Sequence, residues 1–170
     1  MTYGPPQSAS RAGANRSLRA YAAVLWLLAG LFCLRVLGQV LVAFFDVPFL
    51  PPMQEWYSGL IPYPILLPAQ GLIILLLVKI CSDFSRGHGF FVAPKMVMGR
   101  ILCWFSYLYF SSMVLRYVVT MTLYPERRWM GGTIPIVFHC VLAAYLFTVG
   151  HFHAQPAFSS GGTPASPSSV

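Results

Sequence analysis

The sequence predicts an all-α protein, a four-helix transmembrane bundle with disordered termini. Three observations predict it. The chain is 57% hydrophobic. Only 9% of its 170 residues are charged, where soluble domains carry roughly 25%. Its apolar residues gather into four runs near the length of a membrane-spanning helix. Mean hydropathy is +0.67. So few charges cannot cover the surface of a soluble fold, whereas a surface facing lipid needs none. A spanning helix takes roughly 20 residues to cross ~30 Å of hydrocarbon. Backbone polar groups inside a bilayer have to be bonded internally, so long apolar runs become helices. No segment shows the alternation of a membrane barrel strand.

Taken in order, residues 1–17 are rich in Gly, Pro, Ser, Ala and Arg without periodicity, which predicts a disordered N-terminal tail. The membrane domain covers 18–153. Its first span, about 20–45, has a basic start, but the apolar stretch runs on to Phe45, too far for a cleaved signal peptide. Pro48, Pro51 and Pro52 then break the chain. The second span, about 61–81, opens on Pro62, Pro64 and Pro68, a residue tolerated in a first helical turn where its missing N–H has no partner. Pro68 marks a kink or the true start. The third span is about 101–124. The fourth, about 133–150, follows Gly131 and Gly132, with Thr133 as the expected N-cap and Pro135 in the first turn. Residues 154–170 form a second disordered tail.

The net charge of +7 would suggest nucleic acid in a soluble protein, but its placement argues for a membrane. Arg11, Arg16 and Arg19 precede the first span, and Lys79, Arg86, Lys95 and Arg100 surround the connection between the second and third. That is the bias of cytoplasmic loops. Both termini are therefore expected in the cytoplasm, with the membrane a bacterial cytoplasmic one; Arg127 and Arg128 in the last connection oppose this orientation. Trp56 and Trp129 fall on the far side, where indoles favour the interface. No nucleic-acid partner is expected.

Under this topology each helix carries a polar side chain in the outer half of the membrane. Arg35 lies ~15 Å below the outer end of its helix, Arg116 ~12 Å and His139 ~9 Å, at 1.5 Å per residue; Gln70 is at similar depth. Side chains tilt toward a helix N-terminus, so the two arginines lean inward and Gln70 and His139 lean toward them. An uncompensated arginine at mid-membrane costs ~3 kcal/mol on insertion scales, which favours packing both guanidinium groups inside the protein. Gln39 shares a face with Arg35, four residues on. Asp46, Glu55 and Glu126 are the acids available as ion-pair partners, Glu55 foremost. Asp83 and Arg86 are expected to pair across a helical turn, and Phe90 and Phe91 to dip into the interface.

Known chemistries find little support. Cys33, Cys81, Cys103 and Cys140 are widely spaced, with no Cys-x-x-Cys. His88, His151 and His153 lack a completing cysteine or carboxylate, so no metal and no cofactor is expected. Ser106, Ser111 and Ser112 more often bond helix carbonyls than act as nucleophiles. Two functions remain. The first is a non-enzymatic interaction protein or accessory subunit, in contact with the lipid bilayer and packed on a larger membrane protein or on its own copies. The second is an outward-facing binding or transport module for an anionic lipid or carboxylate, built from Arg35, Gln39, Gln70, Arg116 and His139.

Overall fold

The computed structural model describes residues 7–45, 47–52, 56, 62–123 and 133–155. Among them it is all-helical, with α1 at Gln7–Phe45, α2 at Tyr63–Arg86, α3 at Met96–Leu123 and α4 at Thr133–Ala154. All four contain a stretch long and apolar enough to cross a membrane: Asn15–Phe45, Pro64–Arg86, Met96–Leu123 and Thr133–Ala154.

The helices alternate in direction. Tyr21 at the start of α1 meets His151 and Phe152 at the end of α4, Phe84 at the end of α2 also meets Phe152, and Gly99 at the start of α3 lies against Ala154. One end of the molecule therefore gathers the start of α1, the end of α4 and the α2–α3 connection. The opposite end holds the other four helix termini and Trp56.

Alpha-helical spacing explains the core. On α1 the buried residues Ala22, Leu25, Ala29, Phe32, Val36 and Gln39 recur at intervals of three and four, a single stripe down one face. Leu77, Ile80, Cys81 and Phe84 do the same on α2, and Tyr145, Val149 and Phe152 on α4. These three helices make one core. Helix α1 is central, packing on both α2 and α4, while α2 and α4 reach each other through long side chains. The Tyr145 hydroxyl donates to the Leu77 carbonyl at 2.8 Å and lies 3.4 Å from Cys81 Sγ. The Phe84 and Phe152 rings meet edge-on with centroids 4.7 Å apart.

Helix α3 stands outside that core, which departs from a closed four-helix bundle. It packs on α4, and its large apolar residues, from Val97 and Ile101 through Trp104, Leu108 and Leu115 to Leu123, are exposed around most of its circumference. In a lipid bilayer there would be no hydrophobic force to close such a helix onto its neighbours, and small residues and polar contacts would decide the packing. Gly99 and Gly150 supply the close approach. A Cβ on Gly99 would stand 2.6 Å from the Ala154 nitrogen, and one on Gly150 would stand 2.9 Å from the Cys103 nitrogen.

The boundaries differ from the sequence expectation in three places. Helix α1 starts at Gln7, inside the stretch expected to be a tail; that stretch contains Ala and Arg, which favour helix once a long apolar helix follows to propagate from. Pro68 lies inside α2, one turn after Pro64 at its start, where the carbonyl four residues earlier loses its donor. Thr133 begins α4 as its first residue, and its Oγ1 is buried without a hydrogen-bond partner among the described residues, so the expected cap is not made. The 156–170 part of the C-terminal tail lies outside the described residues.

Helix α2 ends on Gly87, whose φ of 70° is the left-handed cap conformation, its N–H donating to the Phe84 carbonyl. Two residues on, Gly89 has φ 132° and its Cα faces the Asp83 carboxylate; an added Cβ would fall 2.4 Å from Asp83 Cγ. Asp83 itself is buried and pairs with Lys79 one turn earlier, not with Arg86. The preference is geometric: the carboxylate turns under the connection, and the long Lys79 side chain reaches it from the i−4 position. Phe90 is exposed and covered by the Lys95 ammonium, 3.4 Å above the ring centroid. Gly89→Ala combines a forbidden backbone with a clash against a buried carboxylate. It is expected to destabilise the protein by about 2 kcal/mol, measured as a drop in thermal midpoint relative to wild type in the same detergent.

Candidate functional site

Three residues of the expected polar layer line one cavity at the end of the molecule away from the α2–α3 connection. The cavity has a volume of about 120 Å³ and is bordered by Arg35 and Phe32 of α1, Leu66, Gln70 and Ile73 of α2, Pro135, Phe138, His139 and Leu142 of α4, and Trp56. Its polar lining is thus Arg35, Gln70 and His139, and the remainder is apolar. Among the described residues no carboxylate lines it.

Each polar group is held by a local feature of sequence. Arg35 is 8% exposed and its Nη2 donates to the Trp56 carbonyl at 3.0 Å. The Trp56 indole reaches back, donating Nε1–H to the Pro51 carbonyl at 2.9 Å, and the six-membered part of its ring lies against Gly38 of α1. Glycine at 38 is what lets that ring touch the helix backbone: a Cβ there would be 2.6 Å from the indole. Gln39, 0% exposed, and Gln70, 4% exposed, bond across the α1–α2 interface, Gln70 Nε2 donating to Gln39 Oε1 at 3.1 Å. One hydrogen bond between two amides leaves a donor and an acceptor over. Gln39 Nε2 and Gln70 Oε1 are both buried without a hydrogen-bond partner among the described residues. A buried polar atom without a partner is uncommon in native proteins and calls for an explanation.

His139 faces the cavity from α4. Its Nδ1 is hydrogen-bonded to the Tyr109 hydroxyl of α3, with the two rings edge-on at 5.8 Å. This bond ties α3 to α4 midway along their seam. Tyr109 belongs to the less exposed stripe of α3, which runs Gly99, Cys103, Ser106, Tyr109, Met113, Arg116, Thr120. Arg116 is thus on the side that faces α4, yet it is half-exposed rather than buried, because α3 has only one neighbour to cover it. The expectation of two buried guanidinium groups holds for Arg35 alone. Arg116 has no hydrogen-bonded or ion-paired partner among the described residues.

The expected ion-pair partners Asp46, Glu55 and Glu126 lie outside the described residues. Among the described residues Arg35 donates to the carbonyl of Trp56, the residue after Glu55. Tyr109 and the Trp56 wall were not singled out from the sequence. Tyr109 precedes Arg116 by seven residues, which places the two on one helix face, and that spacing was a usable signal. Nothing in the sequence pairs Trp56 with Gly38.

Among the described residues no three His, Cys, Asp or Glu side chains converge as metal ligands do. The cysteines are free, Cys81 buried and the others half-buried. Ser106 and Ser112 donate to the carbonyls of Cys103 and Tyr109 one turn back. Comparison of the chain with family models, curated proteins and solved structures finds no match in any of the three. Functional inference therefore rests on the site itself.

Proposed function

We propose that this is a multi-pass integral membrane protein, without catalytic activity of its own, that binds an anionic amphiphile in the cavity between α1, α2 and α4. One observation carries the proposal: the side chains of Arg35, Gln70 and His139, from three different helices, line one otherwise apolar cavity. Such a lining suits a ligand with an apolar body and an anionic end. Arginine presents fork-shaped donors that match phosphate and carboxylate. Arg116 adds a second cation on the face of α3 that bears Tyr109, the residue bonded to His139. The end of the molecule bearing Arg16, Arg19, Lys79, Arg86, Lys95 and Arg100 faces the cytoplasm under the positive-inside rule, so both termini are cytoplasmic and the cavity lies in the outer half of a bacterial cytoplasmic membrane.

The test is to purify the chain in mild detergent and identify what co-purifies by mass spectrometry. A stoichiometric anionic lipid or fatty acid is expected. Arg35→Ala should reduce its occupancy at least tenfold, and Arg116→Ala should reduce it less, since Arg116 is half-exposed and stands off the lining. Wild-type protein empty of any anion, and unable to take one up, would rule the proposal out.

A second reading has its own support. The exposed apolar surface of α3, which contacts α4 alone among its neighbours to any extent, suits an accessory subunit whose outer helix packs on a larger membrane protein or on its own copies. A stoichiometric protein partner in the same preparation, without bound anion, would favour it.

A further inference from the structure

A second surface lies at the other end of the molecule from the cavity. We propose that the α2–α3 connection is a docking element for anionic lipid headgroups, with Phe90 entering the adjoining leaflet and the surrounding lysines and arginines meeting its phosphates. This rests on the membrane reading of the four helices and not on the cavity.

The charge balance at this end follows from the whole sequence. Arg16 and Arg19 precede the buried stripe of α1, Arg86 closes α2, and Lys95 and Arg100 flank the start of α3; all of them are exposed or half-exposed. The chain has 4 acids, which are Asp46, Glu55, Asp83 and Glu126. Asp83 is buried and already paired with Lys79. Chain connectivity holds the other three at the opposite end. Asp46 follows Phe45, Glu55 precedes Trp56, and Glu126 comes just after Leu123 at the end of α3, a reach of roughly 10 Å at most. The 28 residues of α3 separate the two ends by about 42 Å. No further Asp or Glu of the chain therefore reaches these cations, and an anionic partner has to come from outside.

An exposed aromatic ring indicates which partner. The connection is fixed on three sides. Gly87 packs on α1, where an added Cβ would lie 3.4 Å from Leu18 Cδ2; the Lys95 N–H donates to His153 Nδ1 at 3.3 Å; and Phe91 packs against the core. The Val92 N–H closes the turn on the Gly89 carbonyl at 3.3 Å. Phe90 is left outside, 63% exposed, edge-on to Phe91 and with its face under the Lys95 ammonium. A ring held out on a fixed turn gains by entering apolar surroundings, and in a membrane these begin beside it, where the spans start. Headgroup phosphates lie at the same level. Guanidinium forks match them, and cations clustered beside a span are drawn to an anionic leaflet. A nucleic acid or an acidic protein approaching from water would meet the cations and leave Phe90 uncovered.

The full-length protein is placed in bilayers of phosphatidylcholine with a minor share of phosphatidylglycerol. It carries the photoreactive analogue p-benzoylphenylalanine in place of Phe90 or, separately, of Leu108, an exposed residue midway along α3. Cross-linked lipids are identified by mass spectrometry. At position 108 adducts are expected in proportion to the lipid composition. At position 90 phosphatidylglycerol is expected to exceed its share at least about threefold, with the excess lost in high salt. Arg86→Gln combined with Arg100→Gln alters two exposed side chains. The pair should at least roughly halve the excess and leave the anion occupancy of the cavity unchanged. Lipid adducts at 108 but none at 90, adducts at 90 without an excess of phosphatidylglycerol, or an excess unchanged in the double variant each overturn the inference and leave the membrane reading standing. Adducts at 90 to a protein or a nucleic acid in place of lipid overturn it in favour of that partner. Absence of lipid adducts at both positions overturns the membrane reading as well.

Discussion

Gly99→Val is expected to separate α3 from α4 and to lower the thermal midpoint by roughly 6–12 °C. The estimate follows from the contact. A Cβ at this position would lie 2.6 Å from the nitrogen of Ala154, 2.7 Å from the carbonyl carbon of His153 and 2.9 Å from the carbonyl oxygen of Gly150. All three are backbone atoms of a helix, so no side chain can rotate away. Overpacking a well-filled site costs about 1–3 kcal/mol, and a rigid helix backbone on the far side puts this site at the upper end. For a chain of this size each kcal/mol moves the midpoint by about 2–4 °C. Because α3 has no second neighbour in the core, nothing else holds it in register while the seam opens. Gly30→Ala and Gly71→Ala are the controls: neither glycine has an atom within 4 Å of the added methyl, so both should be neutral or more stable by about 0.4–1 kcal/mol through the unfolded chain. The measurement is a melting curve in one detergent for all variants. A Gly99→Val midpoint within about 1 °C of wild type would contradict the close approach.

Gly38→Val should dismantle the cavity wall without touching a polar residue. The Trp56 ring occupies the space that a side chain at 38 would need, with Cη2 at 2.6 Å from a Cβ and Cζ3 at 2.9 Å. Unlike a helix backbone, this indole sits on the connection between α1 and α2 and can be pushed off. Its displacement withdraws the carbonyl that Arg35 donates to and opens one side of the cavity. Losing the packing of a buried tryptophan costs about 3 kcal/mol, and ligand occupancy should fall at least tenfold. The readout is Trp56 fluorescence in a background of Trp26→Phe, Trp104→Phe and Trp129→Phe, where the emission should shift to the red as the ring becomes wetted. An unshifted emission with full ligand retention would mean that Trp56 does not lean on Gly38.

Much of the architecture was legible because apolar runs of this length have few ways to bond their own backbone. In lipid such a run has helix as its one good solution, and a compositional argument on that premise led to four helices, the number the structure has. Polar residues were equally legible as exceptions: Arg35, Gln39, Gln70 and His139 are rare residue types in apolar surroundings, and each is where two or more helices meet. Burial of Arg116 was over-read. Its depth in the span was a property of the sequence, but cover depends on how many neighbours the helix has, and α3 has one. The Lys79–Asp83 pairing was missed for a similar reason. Both i−4 and i+3 partners were available to Asp83, and only the fold of the 87–95 connection beneath the carboxylate selects between them.

From its residues alone this chain is committed to four helices of membrane-spanning length and to polar groups at a few places along them, because hydrophobic length and the cost of an unbonded backbone are local quantities. Which polar groups meet is not local. The Gln39–Gln70 bond, the seat of Trp56 on Gly38 and the link from Tyr109 to His139 each join residues from different helices or from a helix and a connection. Close packing decides them, where two glycines let backbones touch and a single central helix gathers its neighbours around a small, largely apolar cavity.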